Sequence, residues 1–165
     1  MGLFGKSKAE LFAWQNIISP NTPKLVWTEK QLEQFSKTRI ENSLKIIQES
    51  ISLCNTTKKP SVFFKRYDLI IEHMETLAKL EKYVRFRGDK PSKKLAEFQN
   101  LRYSEIDKMI DRAWEETLEK IGCLKTEGAK LKKITAFRDE MDKFSDSMSD
   151  ANIGKYEALC EDFKL

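Results

Sequence analysis

Three stretches of this chain place apolar side chains at alternating spacings of four and three residues, and no other feature constrains the fold as much. Ile40, Leu44, Ile47, Ile51 and Cys54 form the first stretch, and Phe63, Tyr67, Ile70, Met74 and Leu77 the second. Ile134, Phe137, Met141, Phe144 and Met148 form the third. A period near 3.5 residues draws one apolar stripe along a helix, the seam of coiled coils and helix bundles. Ile47, Ile70 and Phe137 sit mid-seam in three different helices and are expected in the core.

Punctuation between the seams sets the element boundaries. Ser7 and Glu10 have the spacing of a capping box and predict a short helix over 8–18 with Leu11, Phe12, Trp14, Ile17 and Ile18. Pro20 and Pro23 stop it, because proline lacks the donor a helix needs. Thr28 and Gln31 make a second box, with Trp27 and Leu32 at the positions of a hydrophobic staple. The helix they open runs to about 55, with a kink allowed around Ser36–Thr38. After Pro60, Ser61 reads as a cap for a helix continuing to about 86, and Gly88, Pro91 and Ser92 mark the next turn.

A third long helix follows to about 125, carrying Leu95, Phe98, Ile106, Met109, Ala113, Trp114, Leu118 and Ile121. A cap-like Ser104 divides it if it divides at all. Thr126–Gly128 reads as its end, and Ser149 caps a last short helix with Ile153, Tyr156, Cys160 and Phe163. The reading is an all-α fold, an antiparallel up-down bundle of about four long helices with short helices at both termini. Residues 1–27 would form a short helix and linker packing on the body, and 28–165 the bundle, in one compact domain. Six Gly and four Pro are too few for the turns of a many-stranded sandwich, and no run of 18 apolar residues offers a membrane span.

Charge and cysteine content narrow the function classes. The formal charge of +4 divides unevenly, net −5 over residues 139–165 and net +9 over the rest. A basic body with an acidic end attracts its own tail or an outside partner. Cys54, Cys123 and Cys160 are odd in number and far apart, unlike a secreted disulfide scaffold, and each lies beside a leucine, which suits a buried thiol in a reduced compartment. The start lacks the apolar core of a signal peptide. Gly2 lacks the Ser or Thr at position 6 that myristoylation wants, since Lys6 stands there. The cytoplasm is the expected address. The preponderance of Lys (23) over Arg (7) points to an AT-rich, bacterial or phage genome.

Catalytic chemistry is poorly supplied. Gly5-Lys6-Ser7 has neither the earlier glycine nor the strand a phosphate loop requires, and Arg87-Gly88-Asp89 reads as a plain turn. His73 is the only histidine and has no partner at metal-ligand spacing, so it reads as a boundary residue. Asp107, Asp111, Glu115 and Glu119 line one strip, but Lys108, Arg112 and Lys120 run beside them as ordinary solvated ion pairs. No catalytic residue, metal or cofactor is expected.

Two features suggest binding. Lys79, Lys82, Arg85, Arg87, Lys90, Lys93 and Lys94 crowd one segment with Tyr83 and Phe86 among them, the interleaving used on nucleic acid. A second basic cluster at Lys125–Lys133 falls at the next turn, so a bundle would hold the two at opposite ends. Phe64, next to the seam residue Phe63, points about 100° away and needs another cover. Phe12, Trp14 and Phe163 are candidates; uncovered, it marks a partner site. The expectation is a non-catalytic helical protein–protein interaction or assembly module, able to self-associate. Its candidate contacts are Phe64, Lys79, Lys82, Arg85, Phe86, Arg87, Lys93 and Lys94. The alternative is a bundle that binds nucleic acid or an anionic surface through residues 79–94.

Overall fold

The computed structural model describes residues 5–163, so the Gly2 reading lies outside the described residues. Seven α-helices and one 3-10 turn make up the fold, and no strand occurs among the described residues. The helices are α1 (Lys8–Ile18), α2 (Glu29–Thr56), α3 (Pro60–Leu80), α4 (Pro91–Asn100), α5 (Arg102–Gly122), α6 (Glu127–Asp142) and α7 (Asp150–Glu161). The 3-10 turn spans Ser145–Ser147. Contacts gather into two compact units: residues up to Glu49 with Leu69–Glu97, and Ser50–Asp68 with residues from Phe98 onward.

In the first unit, both capping boxes form. Ser7 and Glu10 exchange side-chain-to-backbone hydrogen bonds, as do Thr28 and Gln31. Each box satisfies orphan N–H groups of a helix start. Trp14, Leu32 and Leu80 form a fully buried cluster, against which Trp27, Ile40, Tyr83, Val84 and Phe86 pack. The staple pair Trp27 and Leu32 thus joins one cluster. Trp14 donates from its indole N–H to Ser36 at 2.9 Å and stacks on Tyr83 with centroids 5.2 Å apart.

An eleven-residue helix is marginal alone, and Gln15 supplies α1 with an anchor. Its buried carboxamide donates to the Lys24 carbonyl and accepts from the Val26 and Trp27 N–H groups. That clamp holds the proline-rich segment against the helix.

The second unit packs α5, α6 and α7 together. Ile106, Met109, Ile110, Ile134, Met141 and Tyr156 are its buried centre. Trp114 meets Phe137 and Phe163 at 5.1 and 5.6 Å. Lys155 of α7 reaches Asp111 at 3.0 Å and Asp107 at 3.7 Å, and Asn152 also bonds Asp107. The first two acids of the α5 strip therefore tie α7 down. Tyr156 donates to Asp142 at 2.5 Å, and burial with that bond raises its hydroxyl pKa.

The expected core residues Ile47, Ile70 and Phe137 are all buried. Several details differ from the sequence reading. The helix α2 is continuous through Ser36–Thr38, and Leu44 is 50% exposed. Ser36, Ser43 and Ser50 take the inward positions instead. Pro60 opens α3 as its first residue, where its missing N–H costs nothing, so Ser61 is not the cap. The α3 helix stops at Leu80 because the Tyr83 and Val84 N–H groups both return to the Leu80 carbonyl, closing a turn that swings Tyr83 onto Trp14.

The third long helix is two, parted at Leu101, whose N–H closes a short turn onto Phe98. Thr126 begins α6 rather than ending α5, since its hydroxyl accepts the Ala129 N–H. Met148 falls beyond α6, after the 3-10 turn. Cys54 and Cys160 are buried, but Cys123 is exposed, sitting in the loop that follows α5. Phe64 is buried by none of its expected covers; Phe144 stacks on it at 4.5 Å.

Candidate functional site

The basic segment 79–94 becomes a shaped surface because its aromatic residues turn inward. Tyr83, Val84 and Phe86 pack on the Trp14–Leu32–Leu80 cluster. Lys82, Arg85 and Arg87, alternating with them, are left exposed. Gly88 has φ 83°, the left-handed region that only glycine enters without strain, and it lets the chain reverse toward Pro91. Glu81 closes the loop. Its carboxylate accepts the Ser92 N–H at 2.5 Å and the Ser92 hydroxyl at 2.9 Å, occupying the start of α4.

Two concavities result. The first, about 600 Å³, is lined by Tyr83, Val84 and Phe86 with Lys82, Arg85 and Lys90, and by the acid Glu81. The second, about 630 Å³, has Ala13, Ile17, Ala78 and Leu95 beneath and Lys79 and Lys82 beside, with Glu75 as its one acid. Lys82 and Tyr83 border both, so the two adjoin. Two alanines on neighbouring helices leave the hollow that larger side chains would fill.

Among the described residues Lys93 pairs with Asp89 at 3.4 Å and Glu97 at 3.8 Å. Lys79, Lys82, Arg85, Arg87, Lys90 and Lys94 have no ion-pair partner there. Of the residues singled out by sequence, Lys79, Lys82, Arg85 and Phe86 line the concavities, while Arg87, Lys93 and Lys94 do not. Phe64 belongs to the core of the second unit and offers no contact surface. Of the floor residues, Ile17 and Leu95 entered the sequence reading only as apolar helix residues, and Ala13 and Ala78 escaped it. Their signal is two small residues on otherwise apolar helix faces.

The aromatic rings bear on the type of ligand. Tyr83 is stacked on Trp14 and Phe86 is half-buried, so neither stands free as a platform for bases. His73 lies elsewhere in this unit, nine-tenths buried, sharing a 2.9 Å hydrogen bond through Nδ1 with Ser43. Burial and the Arg39 guanidinium lower its pKa, against the opposing pull of Glu72. The Ser43 hydroxyl is fully buried, so no substrate reaches it. No three His, Cys, Asp or Glu side chains gather as a metal would need, and no helix is long and apolar enough to cross a membrane, among the described residues. Comparisons with protein families, with curated proteins and with solved structures return no match to this chain.

Proposed function

We propose that the chain is a non-catalytic interaction module that docks an acidic, amphipathic segment of a protein partner in the groove of its first unit. The observation that carries this reading is an apolar floor edged by Lys79, Lys82, Arg85 and Lys90, none of which has an ion-pair partner among the described residues, against the two acids Glu75 and Glu81. Leucine-like side chains of the partner would cover Ala13, Ile17, Ala78 and Leu95. Its carboxylates would answer Lys79, Lys82, Arg85 and Lys90. Helix-in-groove binding uses this division between apolar anchors and charged edges. A nucleic acid would leave the aliphatic floor unused, and five of the seven cations lining or flanking the groove are Lys, which forms no bidentate phosphate contact. Three cysteines without disulfide partners fit work in a reducing compartment such as the cytoplasm.

The test is fluorescence anisotropy with a labelled helical peptide bearing leucines on one face and glutamates on the flanks. Lys79→Ser, Lys82→Ser and Arg85→Ser together should weaken binding about tenfold, since exposed pairs contribute about 0.2–1 kcal/mol each. Ala13→Trp should block the groove. Single-stranded DNA of equal charge should bind more weakly at physiological salt. Tighter DNA binding, with a log–log salt slope near −4 to −5 for about five phosphate contacts, would replace this reading by the nucleic-acid one.

A further inference from the structure

The second unit holds a separate cavity of about 190 Å³. The end of α2, the first turns of α3 and the α4–α5 junction supply its walls. Phe63, Tyr67 and Phe98 form an aromatic run with successive centroids 5.9 and 4.8 Å apart. Ile51 and Leu101 complete the apolar lining. Leu101 stands at the helix break and is 54% exposed, so the cavity is open to solvent beside it.

Apart from the Asn55 carboxamide, the donors in and beside these walls are already used. The Tyr67 hydroxyl donates to the Phe98 carbonyl at 3.3 Å, and the Cys54 thiol donates to the Phe63 carbonyl at 3.6 Å. Arg112 spends two N–H groups on the Thr57 and Cys54 carbonyls, at 3.0 and 2.7 Å. Burial holds the Cys54 thiol up at about 11, so it stays protonated and takes no part in covalent chemistry at neutral pH. The polar capacity left in the lining is the Asn55 carboxamide and one oxygen of Glu105, whose other oxygen binds Lys108 at 2.8 Å. Ile51, Phe63, Tyr67, Phe98 and Leu101 make most of the lining apolar, which disfavours a charged ligand there.

We infer that this cavity is a binding site for a small neutral aromatic molecule with one N–H or O–H donor. Its ring would lie against Phe63, Tyr67 and Phe98, with the donor turned to the free oxygen of Glu105. An apolar cavity of about 150 Å³ admits benzene in another protein. The volume here has room for a slightly larger ring system such as indole. Aromatic walls with a convergent carboxylate acceptor fix both the ring and its orientation.

Indole titrated into the full chain, followed by calorimetry and by amide chemical shifts, tests the site. Saturable binding with shifts centred on residues 98–105 is expected. Leu101→Trp enlarges a side chain at an exposed position and so spares the core, and Ile51→Phe fills the cavity from the other wall. Each should weaken indole at least about tenfold, the loss of most of a small ligand's contact area. Glu105→Ala should weaken indole several-fold and leave indene, which has the same shape and no donor, unchanged. Absence of saturable binding at millimolar indole, or binding that neither filling variant weakens, would overturn the site. Equal affinity for indole and indene would overturn the donor's assignment to Glu105.

Discussion

His73 shows how one residue's surroundings set a property of the fold. It is nine-tenths buried, bonded to Ser43 and faced by Arg39, whose Nε is itself buried without a partner among the described residues. Both burial and the guanidinium disfavour the imidazolium, so the pKa in the folded chain lies below the ordinary value near 6.5. Below about pH 6.5 the unfolded chain takes up this proton before the folded chain does. Stability contributed by His73 is therefore present above that pH, is lost as pH falls toward the folded value, and then levels off. The expected outcome is a urea midpoint that drops between pH 7 and pH 5 by less in His73→Gln than in the parent chain. Equal drops would mean that the imidazole is free to charge in place.

At the scale of the element, the caps decide where helices begin. Thr126 accepts the Ala129 N–H at 3.3 Å, and Thr126→Ala should lower stability by about 1 kcal/mol, with Thr126→Ser retaining most of it; urea midpoints of the two variants check this. This same residue marks a limit of legibility. Thr126–Gly128 read as a helix end because glycine usually ends helices, yet Gly128 lies in the first turn of α6. The boxes at Ser7 and Thr28 were legible because both halves of each box are in the sequence. Thr126 has no acid three residues on, so nothing local told a start from a stop. The helix α2 shows a subtler failure. Hydropathy favours the face with Ile40, Leu44 and Ile51, but Ser36, Ser43 and Ser50 are wholly buried and Leu44 lies roughly 100° round from them. Trp14 and His73 reach two of these hydroxyls, so partners distant in sequence choose the inward face. The groove floor was hidden for the same reason, since Ala13, Ala78 and Leu95 meet only through packing.

At the scale of the whole molecule, the three thiols all lie in the second unit and report whether that unit is intact. Burial raises the pKa values of Cys54 and Cys160, while Cys123 is exposed. A disulfide reagent at pH 7.5 should modify one of the three free cysteines rapidly in the native chain and all three in guanidinium. Rapid reaction of all three without denaturant would show the second unit, which holds all three, opening on the time scale of the assay. The all-α class was legible at this scale because seams and caps agree along the chain. The grouping of contacts into two units was not, because α2 and α3 each contribute residues to both and no linker composition marks a boundary.

The Glu81–Ser92 clasp has a consequence in time rather than in space. It closes the loop from residue 81 to residue 92 onto the first turn of α4 while the chain folds, so the loop's conformational freedom is given up before any partner arrives. A surface ordered beforehand adds no rearrangement step to association, and the rate of complex formation is then governed by diffusional encounter. The lysines and arginines around it would attract the acidic partner proposed above over about a Debye length, which would speed that encounter most when salt is low.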